Sequence, residues 1–473
     1  MKTSIVWFRN DLRVLDNPAL IDAIKNSDSI IPLFILDSKI LKAKNASSNR
    51  NRFLLESLED LDDSLTKIGG KLILRNGNPS EILESISNEF NVRDIYYSED
   101  YTPYSINRDS RLDEYLINKN IETHRLPGRL AVDELTDIKT QTGNTYKVFT
   151  PFCNNWTTIS RRDVLKAPDN IKLPDKIDSE SLPNIEDITN KEALSPNTQK
   201  GGETSALNRL EEFLKNDVKY YKDEHNMLAD DRTSRLSAYL HFGCISPRYI
   251  ESKLGSSEGE SEFRRQLCWR DFYNYILFNF PRNQKTEFQE KYKNLNWNSD
   301  KEKVKAWQSG KTGYPIVDAA MRQLKQEGWM HNRGRLIVGS FLTKDLFIDW
   351  REGEAYFSKM LIDGDIANNN GNWQWIASVG VDPAPVFRRI FNPTLQQEKF
   401  DPDGVYIKKY VPELKNVPIS YLGDPSLMPN DVQEESGCII GRDYPSPIIN
   451  HSEARKMTLD EFSRYNKSLC KIL

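Results

Sequence analysis

Cysteine is scarce in this chain of 473 residues, and its pattern is not that of paired thiols. The five cysteines, Cys153, Cys244, Cys268, Cys438 and Cys470, are odd in number and scattered, and no CxxC occurs. This argues against a disulfide framework and against zinc or iron–sulfur spacing, so no metal is expected, and a reducing, intracellular location is. Long apolar runs are also missing. Nothing approaches membrane-spanning length, and Met1 leads straight into a strand-like segment instead of a signal peptide. Charge of one sign is not in excess: the net charge is −4. There is thus no global basic signature for nucleic acid, although a local basic cleft would serve as well. The phosphate-cradling motifs GxGxxG and GxxxxGK(S/T) are absent from the first half. No internal repeat is visible.

What is present divides unevenly. Short apolar runs at 4–9, 29–36, 71–76, 94–98 and 121–126 have strand length, and helix-like segments near 18–26, 50–68, 79–90 and 104–119 separate them. Strand alternating with helix predicts a five-stranded parallel sheet covered on both faces, over residues 1–126. Asp11, Arg13 and Asn17 after the first strand, and Tyr101 to Asp109 after the fourth, lie at carboxyl ends where such sheets hold ligands. They read equally as loop polar residues. Residues 127–205 are rich in Pro, Asp, Asn, Ser and Lys and read as a surface linker that buries little. KVFTPFCNNW (147–156) interrupts it and is expected to pack against a domain. From 206 to 473 apolar residues recur three and four apart, which predicts an all-helical domain. Ser246-Pro247 and Tyr314-Pro315 look like helix starts.

The chemistry concentrates between Gly328 and Trp375. Four of the nine tryptophans (Trp329, Trp350, Trp373, Trp375) sit there among His331, Asn332, Arg333, Arg335, Asp363, Asp365 and the run Asn368 to Asn370. That mixture suits a large polar aromatic ligand better than an apolar bundle. TSRLS (233–237) offers hydroxyls and an arginine for an anion, or a plain helix cap. In DGDxANNN, Asp363 and Asp365 are two apart and should meet different groups, Arg335 among them; a loop capping the next helix is the alternative. Trp373 and Trp375 should face nearly opposite ways on a helix. Trp297 and Trp350 are able to stack behind Trp373, as core or as a path for electrons. Arg264, Arg265 and Arg270 flank Trp269, and Arg333, Arg335, Arg388 and Arg389 follow; arginine beside tryptophan is what a nucleic-acid cleft uses.

WFRNDLRVLDNPAL (7–20), TSRLSAYLHFGCISPR (233–248), CWRDFYNYI (268–276), GKTGYPIVDAAMRQLKQEGWMHNRGR (310–335), FLTKDLFIDWREGE (341–354), DGDIANNNGNWQW (363–375) and FNPTLQQEKFDPDG (391–404) resemble the photolyase/cryptochrome family. The resemblance runs from residue 1 to about 450. It is closest to the class I cyclobutane pyrimidine dimer photolyases, through MHNR and NNGxWQW. It implies an α/β antenna domain, a helical domain holding FAD, active as FADH−, and light-driven repair of ultraviolet-damaged DNA by a monomer. Around FAD it places Tyr221, Thr233, Ser234, Arg235, Leu236, Ser237, Phe263, Arg270, Trp329, Asn332, Arg335, Asp363, Gly364, Asp365 and Asn369, the last facing flavin N5. It makes Trp373, Trp350 and Trp297 an electron relay from flavin to surface. It gives Gln266, Trp269, Trp375 and Asn332 to the lesion pocket, and Arg270, Arg333 and Arg388 or Arg389 to DNA phosphates. Dimer photolyases often carry Glu where Gln266 stands; relatives that repair the (6-4) product often carry Gln. Phe263 replaces a usual Trp, and VFRRIFNP has an extra arginine. The implied second, antenna chromophore is a folate (methenyltetrahydrofolate), a deazaflavin or a flavin. A (6-4) photolyase and a signalling cryptochrome are the alternatives.

Overall fold

The computed structural model describes residues 2–43, 46–189 and 194–469, the side chains of 466–469 excepted; Cys470 and residues 190–193 of the expected linker lie outside it. Strands β1 (Thr3–Phe8), β2 (Ser29–Leu36), β3 (Ile73–Asn76), β4 (Asp94–Ser98) and β5 (Glu122–Leu126) form one parallel sheet in the order β3-β2-β1-β4-β5. β1, β2 and β4 are buried along their whole length, because helices cover both faces. That is why they read as continuous apolar runs instead of alternating ones. Edge strand β5 is only half covered, and its sequence ETHRL is correspondingly polar.

Helices α1 (Pro18–Lys25), α2 (Ser48–Lys67), α3 (Pro79–Glu89) and α4 (Pro103–Ile117) link the strands, each opened by a side-chain cap from Asn17, Ser47, Asn78 or Thr102. One carboxyl end of the sheet, after β1, holds the helical half of the chain. Arg13 is buried and donates to Gly243 O at 3.0 Å and Gly128 O at 2.8 Å. Leu12 N–H donates to Phe242 O. Asp11 accepts from Ser98 Oγ, and Asn17 caps α1. Tyr101 is buried, its hydroxyl on Glu99 and Asp133 O, while Asp109 pairs with Arg9 and Arg108. Leu12 and Arg13 thus join the sheet to the helical half, while Asp11, Asn17, Tyr101 and Asp109 brace the loops of the sheet domain itself.

The connector departs from expectation. Leu130, Ala131, Val132, Leu135 and Ile138 are buried, despite their polar surroundings in sequence. The reason is one carboxylate. Asp271 accepts from Ala131 N–H, Val132 N–H and Trp156 Nε1, so this backbone enters the core with its donors satisfied. The aromatic knot packs as expected: α5 (Phe149–Trp156) buries Phe149, Phe152 and Trp156.

The helical half places a few elements around one opening. They are α6 (Ser237–Phe242), α7 (Glu258–Asn279), α8 (Pro315–Glu327), α9 (Asn332–Ser340), α10 (Trp350–Met360) and α11 (Ile366–Ile376). Ser246 and Tyr314 do stand immediately before prolines that open helices. Two glycines let helices touch. A Cβ on Gly353 of α10 would lie 2.1 Å from the ring of Trp373, and one on Gly371 of α11 would lie 2.1 Å from the ring of Tyr273. Among the described residues no helix is long and apolar enough to cross a membrane.

Candidate functional site

A cavity of about 400 Å³ opens among α6, α7, α9 and α11, a volume in the usual range for cofactor sites. Tyr221, Thr233 to Ser237, Phe263, Gln266, Trp269, Arg270, Trp329, Asn332, Arg335, Asp363, Asp365, Asn369, Trp373 and Trp375 all line it. Stretches more than a hundred residues apart in sequence are therefore brought to one place.

The 233–237 segment is shaped by backbone conformation. Arg235 has φ +51°, in the left-handed region that side chains rarely adopt. Its guanidinium pairs with Asp231 and Glu327 and lies 4.1 Å over the Trp329 ring. Trp329 Nε1 in turn donates to Ser237 Oγ. The residue before α6 is Leu236, and no side chain caps this helix. The plain cap is thus not what is built; the hydroxyls of Thr233, Ser234 and Ser237 stand in the cavity wall. Phe263 packs on Phe213 (4.7 Å) and Tyr221 (5.3 Å).

Asp363 and Asp365 do meet different groups. Asp363 Oδ2 accepts from Arg335 Nη2 at 2.7 Å, whereas its buried Oδ1 has no hydrogen-bond partner among the described residues. A buried carboxylate oxygen with spare capacity at a cavity wall is an acceptor for a ligand N–H or O–H. The donor set therefore fits a flavin dinucleotide, with hydroxyls and an arginine for its phosphates and ribose and a carboxylate for its ring. Asp365 caps α11 through Asn368 N–H, as the capping alternative had it, and also pairs with Arg129 at 3.2 Å. Burial alone would raise its pKa, but His241, Arg129 and Arg270 together hold it far below the ordinary carboxylate range. Asn369 Nδ2 donates to Glu354 O and Asn370 Nδ2 to Glu354 Oε1. Burial pushes the Glu354 carboxyl up to about 7.

The three tryptophans of the expected relay share one apolar cluster. Trp373 stands in the cavity wall, T-shaped to Phe357 at 5.0 Å. Trp350, the first residue of α10, is fully buried, with Nε1 on Glu287. Trp297 is half-buried against Phe347 at 4.9 Å. Trp375 shares the cavity wall with Trp373 but is only partly buried, and Arg389 lies 3.9 Å over its ring. At the lip, Trp269 is stacked on Phe149, 3.5 Å between centroids and 4° between planes.

Three expected contacts, that of Gly364 with the cavity and those of Arg389 and Arg270 with the phosphates, fall elsewhere. Gly364 does not line the cavity; a Cβ there would strike Arg50 of α2 at 2.4 Å, so its role is to let Arg50 underlie the Asp363–Asp365 turn. Arg389 is buried, donating to Trp375 O and Asp382 O, because it supports the Trp375 ring and so has no outward reach to a phosphate. Its neighbour Arg388 is exposed. Arg270 lines the cavity with Nη1 on Arg129 O and Nη2 on Leu240 O, turned inward rather than to an outer strand. Arg333 is half-buried, held by Asn226 and stacked on Phe400. Sequence reasoning missed Arg50, Arg129, His241 and Trp307. Each is a single residue in an ordinary helical or loop pattern, and no local signal marks it.

Comparison with known proteins agrees with this arrangement. Residues 4–171 match the family model of DNA photolyase, and residues 263–464 match that of the FAD binding domain of DNA photolyase. A deoxyribodipyrimidine photo-lyase of Streptomyces griseus is 36% identical, over 96% of this chain and 98% of its own. That of Escherichia coli is 37% identical over 99% and 100%. A (6-4) DNA photolyase of Arabidopsis thaliana is 33% identical over 96% and 86%. Among solved structures, a class III photolyase from Agrobacterium tumefaciens superposes with a TM-score of 0.93 at 36% identity, covering 99% and 98% of the two chains.

Proposed function

The chain belongs to the DNA photolyase family, and within it we propose a light-dependent DNA repair enzyme, a deoxyribodipyrimidine photo-lyase, that holds FAD in the cavity and splits cyclobutane pyrimidine dimers. One observation carries this reading. A single cavity joins the hydroxyls of 233–237, the half-satisfied Asp363, the Trp373 indole and a lip of Gln266, Trp269, Asn332 and Trp375. FAD, when bound and reduced, supplies the light-driven electron that opens the dimer. The protein's share is positioning and electrostatics.

Thr233, Ser234 and Ser237 would hold the phosphates and their surroundings, Asp363 with Arg335 would fix the flavin ring, and Asn369 would face its reactive edge. A flipped-out lesion enters between Trp269 and Trp375, and a damaged pair is cheaper to unstack than an intact one. Asn332 and Gln266 hydrogen-bond the damaged bases. Exposed Arg388 and half-buried Arg333 are the arginines available to phosphates. Trp373, Trp350 and Trp297 would carry electrons from a reductant in solution to the flavin and so keep it reduced. The proposal includes a second chromophore on the sheet domain, with folate, deazaflavin and flavin as candidates; a Sulfolobus tokodaii photolyase of similar structure (TM-score 0.83, 34% identity) is described with two FAD molecules.

The test uses pre-reduced protein, blue light and oligonucleotides bearing one thymine cyclobutane dimer or one (6-4) product. Restored thymine absorbance with the first alone is expected. Gln266 and the Arabidopsis relative favour keeping the second lesion in the assay. Repair of that one alone would reassign the substrate, and repair of neither by flavin-loaded protein would favour a photoreceptor.

A further inference from the structure

Two fully buried indoles lie behind Trp373, and they differ in the atom that receives their N–H. Trp307 stands T-shaped to Trp373, 6.2 Å between centroids, and donates Nε1–H to the neutral carbonyl of Val338 at 3.1 Å. Trp350 sits one helical turn before Gly353, the residue pressed against the Trp373 ring, and donates Nε1–H to the Glu287 carboxylate at 3.3 Å. A buried indole needs an acceptor, and a carbonyl suffices. The carboxylate at Trp350 is therefore more than packing requires.

Its surroundings keep that charge in place. The Glu287 side chain is 3% exposed. Its other oxygen pairs with Arg351 at 2.9 Å, and Arg351 also pairs with Asp349 at 3.0 Å while lying 4.6 Å over the Trp350 ring. Arg351 and Asp349 are each about a third exposed, so the buried Glu287 carboxylate, in line with the indole N–H, is the least screened charge beside the ring. The Glu287 loop is itself anchored by Gln374, which sits between Trp373 and Trp375. Gln374 accepts from Phe288 N–H and donates to Asn283 O and Thr286 O.

From this we infer that Glu287 is a positioning residue of the electron relay: its carboxylate stabilises positive charge on Trp350 and so makes Trp350, not Trp307, the donor to Trp373. The inference rests on the flavin and relay reading above. In the step concerned, Trp373 would give one electron to bound, photoexcited oxidised flavin. Trp350 then gives one electron to Trp373, which becomes neutral again. Trp350 keeps the single positive charge, with its Nε1–H proton shared with Glu287, until Trp297 donates in turn; a thiol reductant in solution refills Trp297. At Trp307 the same charge would face only a carbonyl dipole.

Flash photolysis of the flavin-loaded, oxidised protein tests this, reading the yield of long-lived oxidised indole in wild type, Glu287→Gln, Glu287→Asp and Trp350→Phe. Replacing the charged acceptor by a neutral one should lower the yield roughly tenfold in Glu287→Gln. Glu287→Asp, which keeps the charge, should stay nearer to wild type. A structural role predicts the reverse order, since glutamine is the closer shape. In the dark, the Trp350 indole N–H resonance, identified by its loss in Trp350→Phe, should move upfield in Glu287→Gln. If Trp350→Phe removes the long-lived signal while Glu287→Gln matches wild type, the role of Glu287 is overturned and the relay stands. If Trp350→Phe matches wild type, the relay reading fails and takes this inference with it.

Discussion

Arg129 holds Asp365 and Asp100 together. Its Nη2 is 3.2 Å from Asp365, at the start of α11, while Nη1 grips Asp100, which follows β4. All three side chains are nearly excluded from water. The edge of the candidate flavin site is thus fixed to the sheet by one buried guanidinium. Burial acts against the charge on Arg129, but the two carboxylates outweigh it and raise its pKa.

Arg129→Met should therefore be costly. Removing one member of a buried ionic group leaves the others uncompensated, a loss of about 3–5 kcal/mol. Urea unfolding should show the loss, and FAD should wash out faster on gel filtration. Unchanged stability with unchanged flavin retention would mean that Asp100 and Asp365 find other partners.

Asp271→Ala should destabilise without touching the cavity wall. It strips acceptors from Ala131 N–H, Val132 N–H and Trp156 Nε1. Each orphaned buried donor costs about 1–3 kcal/mol. Hydrogen exchange should locate the effect, with protection falling first across 130–138 and 149–156.

Glu354 predicts a pH dependence. Its folded pKa is raised to about 7, by burial first, from an ordinary 4.5. The folded state therefore binds more protons between these values, and the contribution is full below about pH 4.5 and lost as pH rises through 7. Glu354→Gln keeps an acceptor for Asn370 and cannot ionise. Its stability should change less than wild type between pH 5 and 8, by roughly 1–3 kcal/mol. Parallel curves for the two proteins would place the pKa of Glu354 near its ordinary value.

Much of this molecule was legible because burial leaves strong local patterns. β2 and β4 occupy the very residues that the apolar runs at 29–36 and 94–98 mark, since strands buried on both faces have no polar alternation to blur them. The cavity was legible for a different reason. Asp363, Asp365, Asn369, Trp373 and Trp375 sit on one short turn and helix, so their chemistry is concentrated in sequence as in space. What stayed hidden was support from a distance. Arg50 and Asn49 on α2 donate to Leu361 O and Met360 O, more than 300 residues away. A single arginine in an amphipathic helix reads as solvated surface. The burial of Leu130 to Ile138 was hidden because the connector is polar on average, while two of its backbone donors, Ala131 N–H and Val132 N–H, find their acceptor on the distant Asp271.

Gly353 deserves a last consideration, because what it contributes is a missing atom. With only hydrogen there, the rim of the Trp373 ring rests on the backbone of the helix that begins with Trp350. Electron tunnelling falls off exponentially with the gap it must cross. A single added methyl at this position would push the Trp373 ring away from the helix, and under the proposed relay it should slow electron transfer from Trp350. What brings α10 and the Trp373 indole together at this joint is an absence of bulk.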